Sequence, residues 1–187
     1  SLASHANAPG VQTEVQPTVE TAPVPSSGDA ADDAAVWLHP TDPAQSTLIC
    51  TDKQSGLAVY DLAGKQLQYL ALGETNNVDL RHDFRLGTEL VALVTSGEQK
   101  ENRLAASVVD RATRLLRDVA ARPIQLGIQV GGCCMYRSKV TGDTYFFCTS
   151  EDGVVQQWRL FDAGAGRVAS PPEAGPTSSA TRRAIAG

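Results

Sequence analysis

The chain has 187 residues, a formal net charge of −5, and 42% hydrophobic against 20% charged residues. That length suffices to bury one sizeable core. The acidic balance argues against nonspecific nucleic-acid binding, which needs a basic surface, and no apolar run approaches the length of a membrane-spanning helix. Neither a nucleic acid nor a membrane is expected as a partner.

Residues 1–28 are rich in Pro, Ser, Thr, Val and Ala with little periodicity, and read as a disordered leader. Within it, Ala6-Asn7-Ala8 has the small-x-small form of a signal-peptidase site, though the charged and apolar regions that normally precede such a site are missing. An ordinary flexible N-terminus is the other reading. From Asp29 the pattern changes to short apolar runs separated by turn signals such as Asp42-Pro43, Ser55-Gly56, Ala63-Gly64 and Leu86-Gly87. Leu48–Thr51, Leu57–Leu62, Leu90–Thr95, Cys133–Tyr136, Tyr145–Thr149 and Val154–Leu160 have the length and the β-branched or aromatic content of strands. Trp37, Tyr60 and Trp158 are expected in strands.

Leu104–Leu116 is ambiguous, because Leu104, Val108, Ala112 and Leu115 would share one face of a helix. Its place in the chain calls instead for two strands joined by a turn at Asp110–Thr113, and that is the reading adopted. After Leu160 the regularity fades, and residues 169–187 read as a linker or disordered tail.

The chain also repeats. Thr51 and Thr149 each end a strand, lead into a polar turn closed by Gly56 or Gly153, and are followed by a strand ending aromatic-x-Leu. A degenerate third copy begins at Thr95. The spacing of the three starts is that of four-stranded propeller blades, which repeat at about 40–50 residues. The four cysteines, Cys50, Cys133, Cys134 and Cys148, lie in apolar runs and match no zinc spacing, so buried free thiols are expected.

Two short motifs carry the chemistry. Asp29-Ala30-Ala31-Asp32-Asp33-Ala34-Ala35-Val36-Trp37 sets three carboxylates within five residues. Carboxylates that close repel one another unless a cation lies between them, and hard oxygen ligands suit Ca²⁺. Asn76-Asn77-Val78-Asp79-Leu80-Arg81 adds an Asx pair of the kind that stabilises turns, then another carboxylate. The bland alternative is that the Asp cluster caps a strand and the Asn pair forms a turn.

Together the motifs resemble the β-propeller phytases, whose signatures read close to D-A-x-D-D-P-A-x-W and N-N-x-D-x-R; Ala34 stands where that family has proline. The resemblance covers residues 29–168. It implies an all-β chain, a six-bladed propeller of which about three blades are present, and a Ca²⁺-dependent release of phosphate from phytate (myo-inositol hexakisphosphate). By motif, Asp32 corresponds to a ligand of the active-site calcium and a catalytic residue. Asp33, with the carbonyls of Ala34 and Val78, corresponds to a more buried structural calcium site. Lys53 stands where the family places a phosphate-binding lysine. The resemblance also favours the signal-peptide reading of the N-terminus, hence a secreted (extracellular or periplasmic) protein present as a fragment. Bound metal would be needed for an acidic protein to attract so anionic a substrate.

Three positions depart from the family pattern. Glu98-Gln99-Lys100 stands where a phosphate-clamping arginine is usual, Gly131 where a tyrosine is usual, and Glu151 where a second lysine is usual. Some relatives carry two propellers in tandem with the first incomplete, so a second propeller domain downstream is a further expected partner. Three functions follow: a phytase-family phosphomonoesterase fragment, a noncatalytic Ca²⁺-dependent module that binds phosphate esters, or a metal-free propeller used for protein contacts.

Overall fold

A computed structural model describes residues 14–171. They are almost entirely β. The strands are β1 (Ala31–Trp37), β2 (Thr47–Asp52), β3 (Gly56–Asp61), β4 (Gln66–Ala71), β5 (Thr75–Leu86), β6 (Glu89–Glu98), β7 (Arg103–Val109), β8 (Leu116–Asp118), β9 (Ile124–Gln125), β10 (Cys133–Arg137), β11 (Thr144–Thr149), β12 (Val155–Asp162) and β13 (Val168–Ala169). One 3₁₀ turn, Pro43–Gln45, is capped by Asp42, whose side chain accepts the Ala44 N–H.

The strands form three successive antiparallel meanders: β1-β2-β3-β4, β5-β6-β7-β8 with β9 added to β7, and β10-β11-β12-β13. This is a partial β-propeller of three blades. Trp37, Tyr60 and Trp158 all lie in strands, as the repeat implies. Leu104–Leu116 forms nearly all of β7, a turn and the first residue of β8, and Asp110 supplies the reason. Its Oδ1 accepts the Ala112 and Thr113 N–H groups and the Thr113 hydroxyl, which holds the turn closed against a helical path. Ala169, expected to begin the linker, belongs to β13, and the remainder of that stretch beyond Pro171 lies outside the described residues.

The middle blade is apolar on both faces, because successive side chains of a strand point to opposite sides. In β6, Leu93 enters a cluster with Met135, Phe146, Cys148 and Leu160 of the third blade. The adjacent Ala92 and Val94 enter a cluster with Trp37, Ile49, Leu57 and Val59 of the first. Burying an Ile, Leu or Phe side chain is worth about 1.5–3 kcal/mol, so the two interfaces hold most of the driving force. The thiols follow this packing unevenly. All four cysteines are free; Cys148 is buried, Cys50 and Cys133 are half-buried, and Cys134 is exposed, contrary to its expected burial. Burial pushes the Cys133 thiol up to about 12 and the Cys148 thiol up to about 11.

The described part of the expected leader, residues 14–28, is irregular but docked on the first blade. The Ala22 N–H donates to the Gly64 carbonyl at 2.8 Å. A Cβ on Gly64 would stand 2.3 Å from the Glu20 carbonyl oxygen, and its φ is +80°, so only glycine fits beside this strap. Farther along, the Ser26 N–H and the Ser55 and Tyr69 hydroxyls all donate to Asp52 Oδ2, at 3.1, 3.0 and 3.0 Å. Asp52 is fully buried, so these donors replace its water.

Burial alone would raise the Asp52 pKa, but the bonds from Ser26, Tyr69 and Ser55 outweigh it and hold the carboxyl below its ordinary value. A carboxyl that binds its proton less tightly when folded adds stability above the unfolded pKa of about 4, and that stability is lost as pH falls through the lower folded value. Asp52→Ala should therefore cost about 2–4 kcal/mol near neutral pH, since it leaves several buried donors unanswered. Denaturant unfolding of both proteins across the acid range should show the gap closing below about pH 4. A gap that stays constant through the acid range would mean that packing, not the charge of Asp52, carries it.

Candidate active site

β1 is irregular where its carboxylates lie. The pairing with β2 shifts between Ala31 and Ala34, a bulge that holds Asp32 and Asp33. Their side chains part company there. Asp32 lies on the exposed side with Lys53, while Asp33 turns toward the second blade.

On the exposed side, Lys53 occupies the β2–β3 turn. Its main-chain N–H donates to the Ala30 carbonyl at 2.8 Å, and the neighbouring Gln54 amide donates to the carbonyls of Ser27 and Asp29 at 2.8 and 3.3 Å. These bonds hold the lysine turn against the Asp29–Asp32 segment. The Lys53 Nζ then stands 2.5 Å from Asp29 Oδ2 and 3.9 Å from Asp32 Oδ1. The hydrogen bond to Asp29 raises the lysine pKa above its ordinary value, so the ammonium stays charged throughout the physiological range.

On the other side, Asp33 joins two blades. Its Oδ2 accepts the Val78 N–H at 3.1 Å and the Asn77 amide at 3.4 Å, and its Oδ1 accepts the Ala34 N–H at 2.8 Å. The second motif continues the seam. Asn77 Oδ1 accepts the Cys133 N–H at 2.9 Å, and Asp79 Oδ2 accepts the Met135 N–H at 2.7 Å. Arg81 bonds Asp79 at 2.5 Å and also reaches the Met135 carbonyl. Asn76 donates to the Gly131 carbonyl at 3.3 Å. The Asn pair, which the bland alternative puts in a turn, lies in β5, and its amides bind the neighbouring blades. Between β1, β5 and β10 a cavity of about 360 Å³ is lined by Asp33, Ala34, Val78, Asp79, Cys133 and Cys134 among others.

The donor chemistry can be tested against a hard divalent cation. Asp29 and Asp32 offer it carboxylate oxygens, and the Lys53 ammonium stands against both as their counter-ion. Among the described residues no three His, Cys, Asp or Glu side chains gather closely enough to cage a metal by themselves. A cation there would take its remaining oxygens from water, from main-chain carbonyls or from a bound phosphate. Asp33, Ala34 and Val78 do come together around one cavity. The Asp33 oxygens, however, already accept N–H donors from Ala34 and Val78.

Two of the three departing positions have structural roles. Glu98 is buried, with Oε1 accepting the Lys100 N–H at 3.1 Å and Oε2 the Glu101 N–H at 2.9 Å, so it organises the β6–β7 turn rather than facing a ligand. Lys100 is exposed. At Gly131, whose N–H donates to the Thr149 carbonyl at 2.7 Å, an added Cβ would stand 3.1 Å from that same oxygen. Glu151 lies exposed in the β11–β12 turn. Sequence reasoning missed Asp52, Asn77 and Asp79 as structural acceptors. A buried acid at a strand end looks like a turn residue until its donors, which lie far along the chain, are known.

A family described as Phytase matches residues 1–171. The 3-phytase of Bacillus subtilis (strain 168) is 40% identical over 154 residues, which is 80% of this chain and 40% of that protein. The chain belongs to the phytase family, and it spans less than half the length of that relative.

Loss of an inter-blade acceptor should cost far more than loss of a surface carboxylate. In the presence of chelator, Asp79→Ala should lower stability by about 2–4 kcal/mol, because the Met135 N–H and the Arg81 guanidinium lose their partner. Asp32→Ala should change it by less than about 0.5 kcal/mol. Urea unfolding midpoints of the two variants decide the matter, and equal losses would remove the seam from its structural role.

Proposed function

We propose that this chain is part of a secreted, Ca²⁺-dependent phytase that releases phosphate from phytate, and that it contributes one sector of the substrate surface. The observation that carries the reading is the Lys53 ammonium beside Asp29 and Asp32, a mixed-charge patch at the positions where the family's motif places phosphate and metal contacts. Membership of the phytase family and the likeness to a 3-phytase support the reaction class. Among the described residues no helix is long and apolar enough to cross a membrane.

Asp32 would hold the active-site cation, and Asp33 with the Ala34 and Val78 carbonyls would hold a second, structural one. Calcium when bound supplies charge neutralisation for a phosphate ester and lowers the pKa of a coordinated water. Lys53, at the centre of the patch, binds and orients a phosphoryl oxygen by direct charge-assisted hydrogen bonding. Asp52 and Gln54 keep that lysine in place by fastening the turn to the strap. Positioning of this kind accounts for much of phosphoryl-transfer catalysis, where the protein performs little covalent chemistry.

A noncatalytic phosphate-ester module is the second reading. Glu98 is buried, Gly131 is tightly packed and Glu151 is anionic, so three usual phosphate contacts are replaced on this sector. A second, complete propeller downstream would then carry the turnover.

Both readings predict negligible phosphate release from phytate by the 187-residue chain alone, even in calcium, and turnover by the longer protein of which it would form part. Phosphate release measured on both under matched calcium tests this, and robust turnover by the isolated chain would show that the replaced contacts are dispensable. Millimolar Ca²⁺ should also raise the melting temperature of the isolated chain. Asp33→Ala should remove more of that increment than Lys53→Ala, and a melting temperature indifferent to both Ca²⁺ and chelator would sink the metal assignment.

A further inference from the structure

The third blade carries two thiols that face one another across its first two strands. Cys133 of β10 lies directly opposite Cys148 of β11 in the antiparallel ladder. Residues so paired stand on the same face of the sheet. Here that face is the core, where Cys133 and Cys148 pack in one apolar cluster with Met135 and Phe146, the next pair along it.

The ladder also sets how close the two come. The Thr149 N–H donates to the Gly132 carbonyl at 2.9 Å, and the Gly131 N–H donates to the Thr149 carbonyl at 2.7 Å. Gly132 and Thr149 are thus the hydrogen-bonded pair, and Cys133 with Cys148 is the non-hydrogen-bonded pair beside it. The Cys133 N–H accordingly turns away from β11 and donates to Asn77 Oδ1 at 2.9 Å. The Cα atoms of such a pair stand about 4.5 Å apart, inside the span of about 4.4–6.8 Å that a disulfide bridges. The thiols give up little by turning toward each other. Cys133 Sγ donates to the Asn77 carbonyl at 3.7 Å and Cys148 Sγ to the Gln156 side-chain oxygen at 4.0 Å, long contacts from a weak donor.

We propose that Cys133 and Cys148 form a disulfide site, and that its oxidation staples β10 to β11 inside the third blade. The oxidant is a small-molecule disulfide such as oxidised glutathione. One cysteine thiolate attacks it, forming a mixed disulfide and releasing one glutathione thiol. The other cysteine then attacks the protein sulfur of the mixed disulfide and releases the second. Two electrons pass to glutathione, and the two cysteine protons leave with it. Burial pushes the Cys133 and Cys148 thiols up to about 12 and about 11, so the folded blade holds almost no attacking thiolate near neutral pH. The bond therefore forms while the blade assembles. Cys134 is exposed and lies opposite Phe147, on the other face of β10, so the ladder does not offer it to Cys148. The strand so fixed is the one that Asn77 and Asp79 grip from the second blade.

The test refolds the reduced 187-residue chain from denaturant into a buffer of reduced and oxidised glutathione. Mass spectrometry after alkylation and proteolysis should find Cys133 linked to Cys148, with Cys50 and Cys134 alkylated. Cys134→Ser should leave the link in place, and Cys133→Ser should abolish it. The oxidised chain should melt roughly 5–10 °C above the reduced one, the gain expected from closing a hairpin of this length. That difference should vanish in Cys133→Ser and in Cys148→Ala. Comparing the two redox conditions within each variant separates the bond from packing lost with the thiol. Oxidised glutathione added to the chain already folded should link the pair far more slowly than refolding does.

Four alkylated cysteines after refolding, or a link that engages Cys50 or Cys134 instead, overturns the site. A Cys133–Cys148 link that leaves the melting temperature unchanged or lowers it overturns the staple, because strain in the bond then cancels the constraint on the unfolded chain. Equally fast oxidation of the folded chain overturns closure during assembly.

Discussion

The three blades depend on side-chain oxygens that reach across to the backbone of the next blade. Each blade begins at β1, β5 or β10, and the outer edge of a first strand offers N–H groups with no neighbour of their own. A buried N–H without a partner costs about 1–3 kcal/mol. Asp33 answers Val78, Asn77 answers Cys133, and Asp79 answers Met135. The apolar clusters on either side of the middle blade supply more free energy, but hydrophobic contact has no direction. The polar seam is what fixes each first strand at one height against its neighbour.

Acids elsewhere in the chain serve the backbone in the same way. Asp52 gathers Ser26, Ser55 and Tyr69 around the β2–β3 turn, Glu98 closes the β6–β7 turn, and Asp110 closes the β7–β8 turn. These carboxylates spend their oxygens on N–H and O–H donors of the fold itself, which leaves them fewer lone pairs for a ligand. Asp29 and Asp32 are different, because they face solvent and their counter-ion is a lysine.

Strand identity was legible because β-branched and aromatic residues recur in short runs between Gly and Asp turns, and because three Thr starts recur at blade spacing. The ambiguity over Leu104–Leu116 was settled by Asp110, whose side chain competes with helix formation in a way apolar periodicity does not register. The motif singled out Lys53 and Asp32 separately, but not that the lysine turn packs against the Asp29–Asp32 segment. What was not legible was every interaction between parts of the chain far apart in sequence. Nothing in Asn76-Asn77 announces that its amides bond Gly131 and Cys133, and nothing in a Pro- and Ser-rich leader announces that Ser26 meets Asp52. Composition describes how a segment behaves alone, whereas docking depends on donors and acceptors presented by the rest of the fold.

The adjacency of Asp32 and Asp33 explains how one strand supports both the seam and the surface. At the bulge the two side chains part, so β1 delivers Asp33 to the second blade and Asp32 to the lysine turn. A slip of one residue in the β1–β2 register would exchange the two faces, leaving Val78 without its acceptor and Asp32 away from Lys53. The bulge between Ala31 and Ala34, together with the bond from the Asp33 N–H to Thr51 at 2.9 Å, fixes that register. Thr51 is followed directly by Asp52, which ends β2, and then by Lys53. The same short stretch thus sets the height of the blade, the anchoring of the strap and the position of Lys53, and a change in one reaches the others through a few backbone bonds.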